Sequence, residues 1–149
     1  ALAPWTEALL YAAARAELVA RVLRPGLAAG LILVLDRYID SSLAYQGYAR
    51  GLGVDAVLGV NAPAVGDVVP DLTGVLAVAP ATGRARARGA RDRIEREGVD
   101  LQRCVADGFA ELARRFPERI RVLDGERPIP VVAADVWALV APLVEDRDV

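Results

Sequence analysis

The sequence predicts an α/β fold built on a parallel sheet with flanking helices. Three observations carry this. Long segments with apolar residues at helical spacing alternate with short, continuous apolar runs. The run Leu31-Ile32-Leu33-Val34-Leu35 has no polar alternation, which suits a strand buried on both faces of a parallel sheet. The order of segments reads helix-strand-helix-helix-strand-helix-strand-helix, the pattern of parallel α/β proteins. At 149 residues the chain fits one domain, 1–149.

Each element has its own reason. Thr6 is a good N-cap, and Leu9, Leu10, Ala13, Leu18, Val19, Val22 and Leu23 recur at helical spacing, so a helix is predicted from Glu7 to Arg24, stopped by Pro25-Gly26. The strand Leu31–Leu35 follows, and Asp36-Arg37-Tyr38 stands at its carboxyl end, the edge where open α/β sheets bind ligands. Ser41 or Ser42 can cap a short helix toward Arg50, ended by Gly51. A further helix is expected within Val54 to Val65, and a strand over Leu72 to Val78. Residues 80–98 are polar and Arg-rich. Then come a helix from Asp100 to Arg115 broken at Pro117, a strand over Arg119 to Leu123 and a last helix over Val131 to Leu143. Cys104 is expected buried or half-buried on its helix, and Trp137 in the core with Val132, Val136 and Val140. Three strands are few for such a sheet, and the pattern opens on a helix. Both points lead us to expect N-terminal strands outside this sequence.

Composition excludes several chemistries. All 18 cationic residues are Arg, and His and Met are absent. Without His there is no Ser-His-Asp triad and no imidazole metal site. Without Lys there is no Schiff-base lysine and no phosphate-loop lysine. One Cys excludes a disulfide framework or a Cys-rich zinc site. A net charge of -2 is no nucleic-acid footprint, and no uncharged run approaches the roughly 20 residues needed to span a bilayer. We therefore expect a cytoplasmic protein with neither a nucleic-acid polymer nor a membrane as partner. No metal-ligand cluster is apparent. The missing Met has two readings: Ala1 lies within a longer chain, or an initiator Met has been removed before it.

Two constellations carry chemistry. The first is Asp36-Arg37-Tyr38-Ile39-Asp40-Ser41-Ser42-Leu43-Ala44-Tyr45-Gln46-Gly47. On its own, Asp36-Arg37 reads equally as a loop ion pair, and Ser42 to Gln46 as a capped surface helix. Tyr11 and Arg15 lie one turn apart on one helix face, offering a ring and a donor. They read equally as a core-edge Tyr and a solvated Arg. The second is the run Arg84 to Arg96, with six arginines (Arg84, Arg86, Arg88, Arg91, Arg93 and Arg96) against Asp92 and Glu95. If helical, Arg84, Arg88 and Arg91 share a face suited to polyphosphate. The same run can be a solvated helix with Arg91–Glu95 and Asp92–Arg96 pairs.

In order along the chain, these segments resemble bacterial thymidylate kinases. Glu7 to Arg15 is similar to the family's thymine-holding helix, and Arg24 to Gly30 to the turn before its strand. Asp36 to Gly47 resembles the nucleoside-monophosphate site. Pro70-Asp71-Leu72-Thr73 is similar to the lead-in to the next strand, and Arg84 to Gly89 with Asp92-Arg93-Ile94-Glu95 to the mobile lid. The resemblance implies a P-loop nucleoside-monophosphate-kinase-like three-layer fold. Its acceptor-nucleotide site would fall at about 7–50 and its lid at about 81–98. It implies transfer of the ATP γ-phosphate to dTMP to give dTDP, with ATP and Mg²⁺ as cofactors, in a homodimer. It also implies residue roles. Arg37 grips the acceptor phosphate, and Asp36 stands near the transferred phosphate and Mg²⁺. Tyr11 stacks on the base, Arg15 donates to a base carbonyl, Ser42 and Gln46 hydrogen-bond the base, and Tyr45 lies against the sugar. Arg88 is the catalytic, transition-state Arg of the lid, with Arg84 and Arg93 next to it in that role, on a face that binds the donor triphosphate.

The sequence departs from the family in four places. The loop GxxxxGK[ST], whose amides and Lys cradle ATP, has no counterpart here. Ala77 stands where the family usually has Asp, the segment from Pro80 to Arg84 is shorter, and Val99 replaces an aromatic. The alternative to a kinase is therefore an inert, thymidylate-kinase-like chain that binds a nucleotide or a partner without transferring phosphate. A deoxynucleoside kinase and a purely structural α/β domain are the remaining readings.

Overall fold

The computed structural model describes residues 2–86 and 98–145. They fall into two compact units, Ala1–Asp71 and Leu72–Val149, each with its own core.

The first unit is helical. Helix α1 runs Pro4–Leu18, continues through a π-helical turn Val19–Leu23 and passes into α2, Arg24–Ala28. The predicted N-cap, Thr6, is inside the helix; Pro4 occupies the first turn, where its missing N–H costs nothing. The predicted stop at Pro25 does not occur. In a regular α-helix the proline ring would collide with the carbonyl four residues back, and here the wider π turn directly precedes it. The helix ends instead at Gly30, whose φ of 78° suits glycine. There Gly30 N–H donates to the Leu27 carbonyl at 2.9 Å and Leu31 N–H to the Gly26 carbonyl at 3.0 Å, a Schellman motif.

The buried face of this long helix is only partly the face that the apolar spacing suggests. It runs through Ala8, Ala12, Val19 and Leu23 with Glu7 and Arg15 among them, while Leu9 and Leu10 are exposed. Small alanines let α1 approach α4 (Val54–Val65), and the two buried charges are hydrogen-bonded as described below. Between them lie α3, Ile39–Ser42, and a second π-helical segment, Leu43–Ala49. Neither Ser41 nor Ser42 is the cap; α3 begins at Ile39 after Tyr38. Leu43, Ala44, Val57 and Ala64 complete the core.

The predicted strand Leu31–Leu35 is not a strand. These residues pair with no ladder, and Val34 is 91% exposed. A strand exists through its hydrogen-bonded neighbours, and this unit contains none among the described residues.

The second unit holds the sheet. Strands β1 (Thr73–Ala77) and β2 (Ile120–Asp124) pair in parallel, with Thr73 opposite Ile120 and Ala77 opposite Asp124. Helices α5 (Pro80–Arg86), α6 (Val99–Arg115) and α7 (Ile129–Glu145) complete it. The α/β class with a parallel sheet is as predicted, with two described strands in place of three. Helix α6 buries the stripe Val105, Gly108 and Leu112. Cys104 lies one position off that stripe and is exposed, against expectation. Trp137 is 59% exposed, because α7 is apolar on more of its circumference than the part packed on β2. No helix among the described residues is long and apolar enough to cross a membrane.

Two glycines of the first unit separate packing from propensity. A Cβ on Gly47 would stand 3.1 Å from the Val54 Cα, whereas one on the exposed Gly59 of α4 would meet nothing within 4 Å. Gly47→Ala is expected to lower unfolding free energy by about 1–3 kcal/mol through this clash. Gly59→Ala should raise it by about 0.5–1 kcal/mol. Urea denaturation of the two variants measures both.

Candidate functional site

The first unit encloses a cavity of about 250 Å³ at the end of the unpaired run Leu31–Leu35. Its wall contains Asp36 and all six side chains predicted to hold an acceptor nucleotide: Tyr11, Arg15, Arg37, Ser42, Tyr45 and Gln46. Tyr38 and Ser41 complete it. Three separate segments converge here: helix α1, the turn at 36–38, and the α3–π-helical stretch.

Arg15 is the best-anchored of these residues. It is only 8% exposed. Its Nη1 donates to Asn61 Oδ1, and its Nη2 donates to Ser42 Oγ at 2.9 Å and to the Tyr38 carbonyl at 3.1 Å. The guanidinium also lies over the Tyr38 ring, 5.4 Å from its centroid. Burial pushes its pKa below the ordinary arginine value, and Tyr38 and Asp40 nearby act in the opposite direction. It stays charged nonetheless. Among the described residues, Nε and one Nη1 hydrogen remain for a ligand.

Asn61 was not singled out by the sequence, although a polar residue within the apolar stretch Ala56 to Val65 of α4 was the available signal. It is fully buried. Its Nδ2 donates to the Val57 carbonyl at 2.8 Å, which turns Oδ1 toward Arg15. Glu7 was also missed as part of the site. It is 3% exposed, accepts Gln46 Nε2 at 2.9 Å, and faces Arg50, whose Nε and Nη2 each lie 3.4 Å from its oxygens. Tyr38 donates its hydroxyl to the Val68 carbonyl at 3.2 Å. Burial raises its pKa above the usual phenol value, and Arg15 and Arg24 partly oppose this.

Arg37 is held differently. It has φ 72°, the left-handed region that non-glycine residues enter at a cost. Its guanidinium sits 5.5 Å from the Tyr45 ring centroid. Such strain is found where a structure aims a side chain at a ligand. Asp36, beside it, is exposed at the cavity wall. Among the described residues, no group of three or more Cys, Asp or Glu side chains converges to hold a metal ion by itself. Mg²⁺ needs less: one or two carboxylates together with substrate phosphate oxygens. Asp36 fits that donor set.

Of the predicted lid residues, Arg84 is on α5, and Arg88 and Arg93 lie outside the described residues.

The comparisons with known proteins agree with this picture. The family model of thymidylate kinase matches residues 1–136. A thymidylate kinase of Desulforudis audaxviator is 48% identical over 143 residues, covering 95% of this chain and 65% of that protein. One from Anoxybacillus flavithermus is 46% identical, covering 93% and 68%. A crystal structure of the Ehrlichia chaffeensis thymidylate kinase superposes with TM-score 0.72 at 27% identity, over 93% of this chain and 65% of that one. The fold is thus of the P-loop nucleoside-monophosphate-kinase class. Within that class, the chain belongs to the thymidylate kinase family. It spans about two thirds of the length of the relatives it matches.

The strain at Arg37 is measurable. Arg37→Gly should be more stable than Arg37→Ala by about 1 kcal/mol, because both lose the same guanidinium and only alanine keeps a Cβ in the left-handed region. Chemical denaturation of the two variants gives the difference; equal stabilities would contradict the strain.

Proposed function

We propose that this chain supplies the acceptor side of a dTMP kinase reaction, in which the γ-phosphoryl group of ATP passes to dTMP to give dTDP and ADP. The observation that carries the reading is that one cavity gathers Tyr11, Arg15, Arg37, Ser42, Tyr45 and Gln46 with Asp36. Family membership supports the choice of substrates.

The chemistry asks for positioning and charge neutralisation. A dTMP phosphate oxygen attacks the γ-phosphorus, and the bond to ADP breaks. Arg37 holds the attacking phosphate in a bidentate fork and offsets its charge. Tyr11 stacks on the pyrimidine, Arg15 donates to a base carbonyl, and Ser42 and Gln46 meet the base edge. Tyr45 lies against the sugar, where its ring crowds a ribose 2′-hydroxyl. Holding base and phosphate together fixes the attacking oxygen, which lowers the entropic part of the barrier. Asp36 would hold Mg²⁺, which when bound supplies charge stabilisation to the transferring phosphoryl group. Arg84, Arg88 and Arg93 are the residues we assign to the donor phosphates.

Isothermal titration with dTMP tests this directly. The protein should bind dTMP, and Arg37→Ala should weaken binding by about 10- to 100-fold, the loss of a charge-assisted hydrogen bond. An unchanged dissociation constant in the variant would refute the role of Arg37. No dTMP binding by the unmodified protein would refute the reading as a whole.

A further inference from the structure

We propose that Glu7 sets the polarity of the Gln46 side-chain amide and so tunes the cavity for a pyrimidine presenting a carbonyl beside an N–H, as thymine and uracil do, over one presenting an amino group beside a bare ring nitrogen, as cytosine does. The proposal rests on reading the cavity as a pyrimidine-nucleotide site.

An amide side chain offers a donor on one branch and an acceptor on the other. Which branch faces a ligand must follow from its other contacts. Gln46 is 2% exposed and lines the cavity, and its Nε2 donates to Glu7 Oε1 at 2.9 Å. The alternative orientation would press the Gln46 carbonyl oxygen against a carboxylate oxygen. Glu7 is held as an acceptor because the Arg50 guanidinium faces both its oxygens. The ion pair therefore fixes the amide, with its NH₂ toward Glu7. Among the described residues the Gln46 side-chain oxygen, Oε1, accepts no hydrogen bond from the protein, and no side-chain oxygen or nitrogen is both sealed from solvent and unpartnered. The acceptor branch is the one available to the cavity.

Arg15 supplies the complementary half. It is a donor in every state, and Asn61, Ser42 and the Tyr38 carbonyl hold it in place. Together the two side chains present a donor and an acceptor. A carbonyl and an adjacent ring N–H match that pair; the amino group and unprotonated ring nitrogen of cytosine oppose it at both positions. Glu7 need not touch the base. It is a positioning residue, and it carries the selectivity through the orientation of its neighbour.

The test compares dTMP with dCMP by titration calorimetry, with deoxyribose 5-phosphate as a probe of the phosphate side alone. Glu7→Gln keeps the size of residue 7 but offers its neighbour either a donor or an acceptor, so the Gln46 amide is free to turn. The ratio of dTMP to dCMP affinity should fall about tenfold or more, while deoxyribose 5-phosphate binds as before. Gln46→Leu should lower the same ratio, and the double variant should add little to either single one. An unchanged ratio in Glu7→Gln would overturn the proposal, and so would an equal loss on all three ligands, which marks a merely structural role. Failure of the unmodified protein to bind dTMP would instead sink the underlying reading. If Glu7→Gln does not fold, NMR of the unmodified protein decides: the Gln46 side-chain NH₂ resonances should shift little on dTMP addition. A large shift would place the NH₂ against the base and refute the assignment.

Discussion

The first unit depends on how it satisfies one buried cation. A guanidinium at 8% exposure is costly unless its donors are met. Arg15 meets them with Asn61 from α4, Ser42 from α3 and the Tyr38 carbonyl before it. One side chain of α1 thereby fixes three other points of the chain, and two of them, Tyr38 and Ser42, line the cavity. The same constraint explains why α1 is lined with Ala8 and Ala12: larger residues would hold α4 away and leave the hydrogen bonds unmade. The packing of this unit and the shape of the cavity thus share a single set of contacts. Glu7 repeats the pattern about two turns earlier in the helix's buried face, with Gln46 and Arg50 as its partners.

Much of this was legible in the sequence. The sequence groups Tyr11, Arg15, Asp36, Arg37, Ser42, Tyr45 and Gln46, and these side chains line one cavity. Local signals sufficed there because the motif residues are contiguous or one helical turn apart. The helix α4, both strands of the sheet and helices α6 and α7 also fall close to their predicted bounds. The misses have physical reasons. Apolar spacing pointed to Leu9 and Leu10, but the inward face was set by close approach and by buried charge, which hydrophobicity does not report. Pro25 read as a stop because a π turn that accommodates it leaves no mark in composition. The run Leu31–Leu35 has every property of a buried strand except a partner, and pairing is a long-range property. Asn61 and Glu7 are polar residues whose roles appear only when their neighbours are known.

The two units divide the chemistry unequally. The first holds the cavity, with Arg37 in the left-handed region and Arg15 and Gln46 in its wall, both hydrogen-bonded to neighbouring side chains. The second carries the parallel strands, and its sequence contains the arginine run. Phosphoryl transfer places little covalent demand on a protein, so a rigid acceptor pocket is a substantial part of what such an enzyme must provide. The cationic residues of this sequence are all Arg, whose charge does not titrate in the physiological range.

The most direct measurement of the central claim is a crystal structure of the protein soaked with dTMP. The account predicts the base against Tyr11, a carbonyl of the base within hydrogen-bond distance of Arg15, the Gln46 carbonyl oxygen facing the ring N–H, and the phosphate on Arg37. A nucleotide bound elsewhere, or one seated with its phosphate at Arg15 and its base at Arg37, would contradict it.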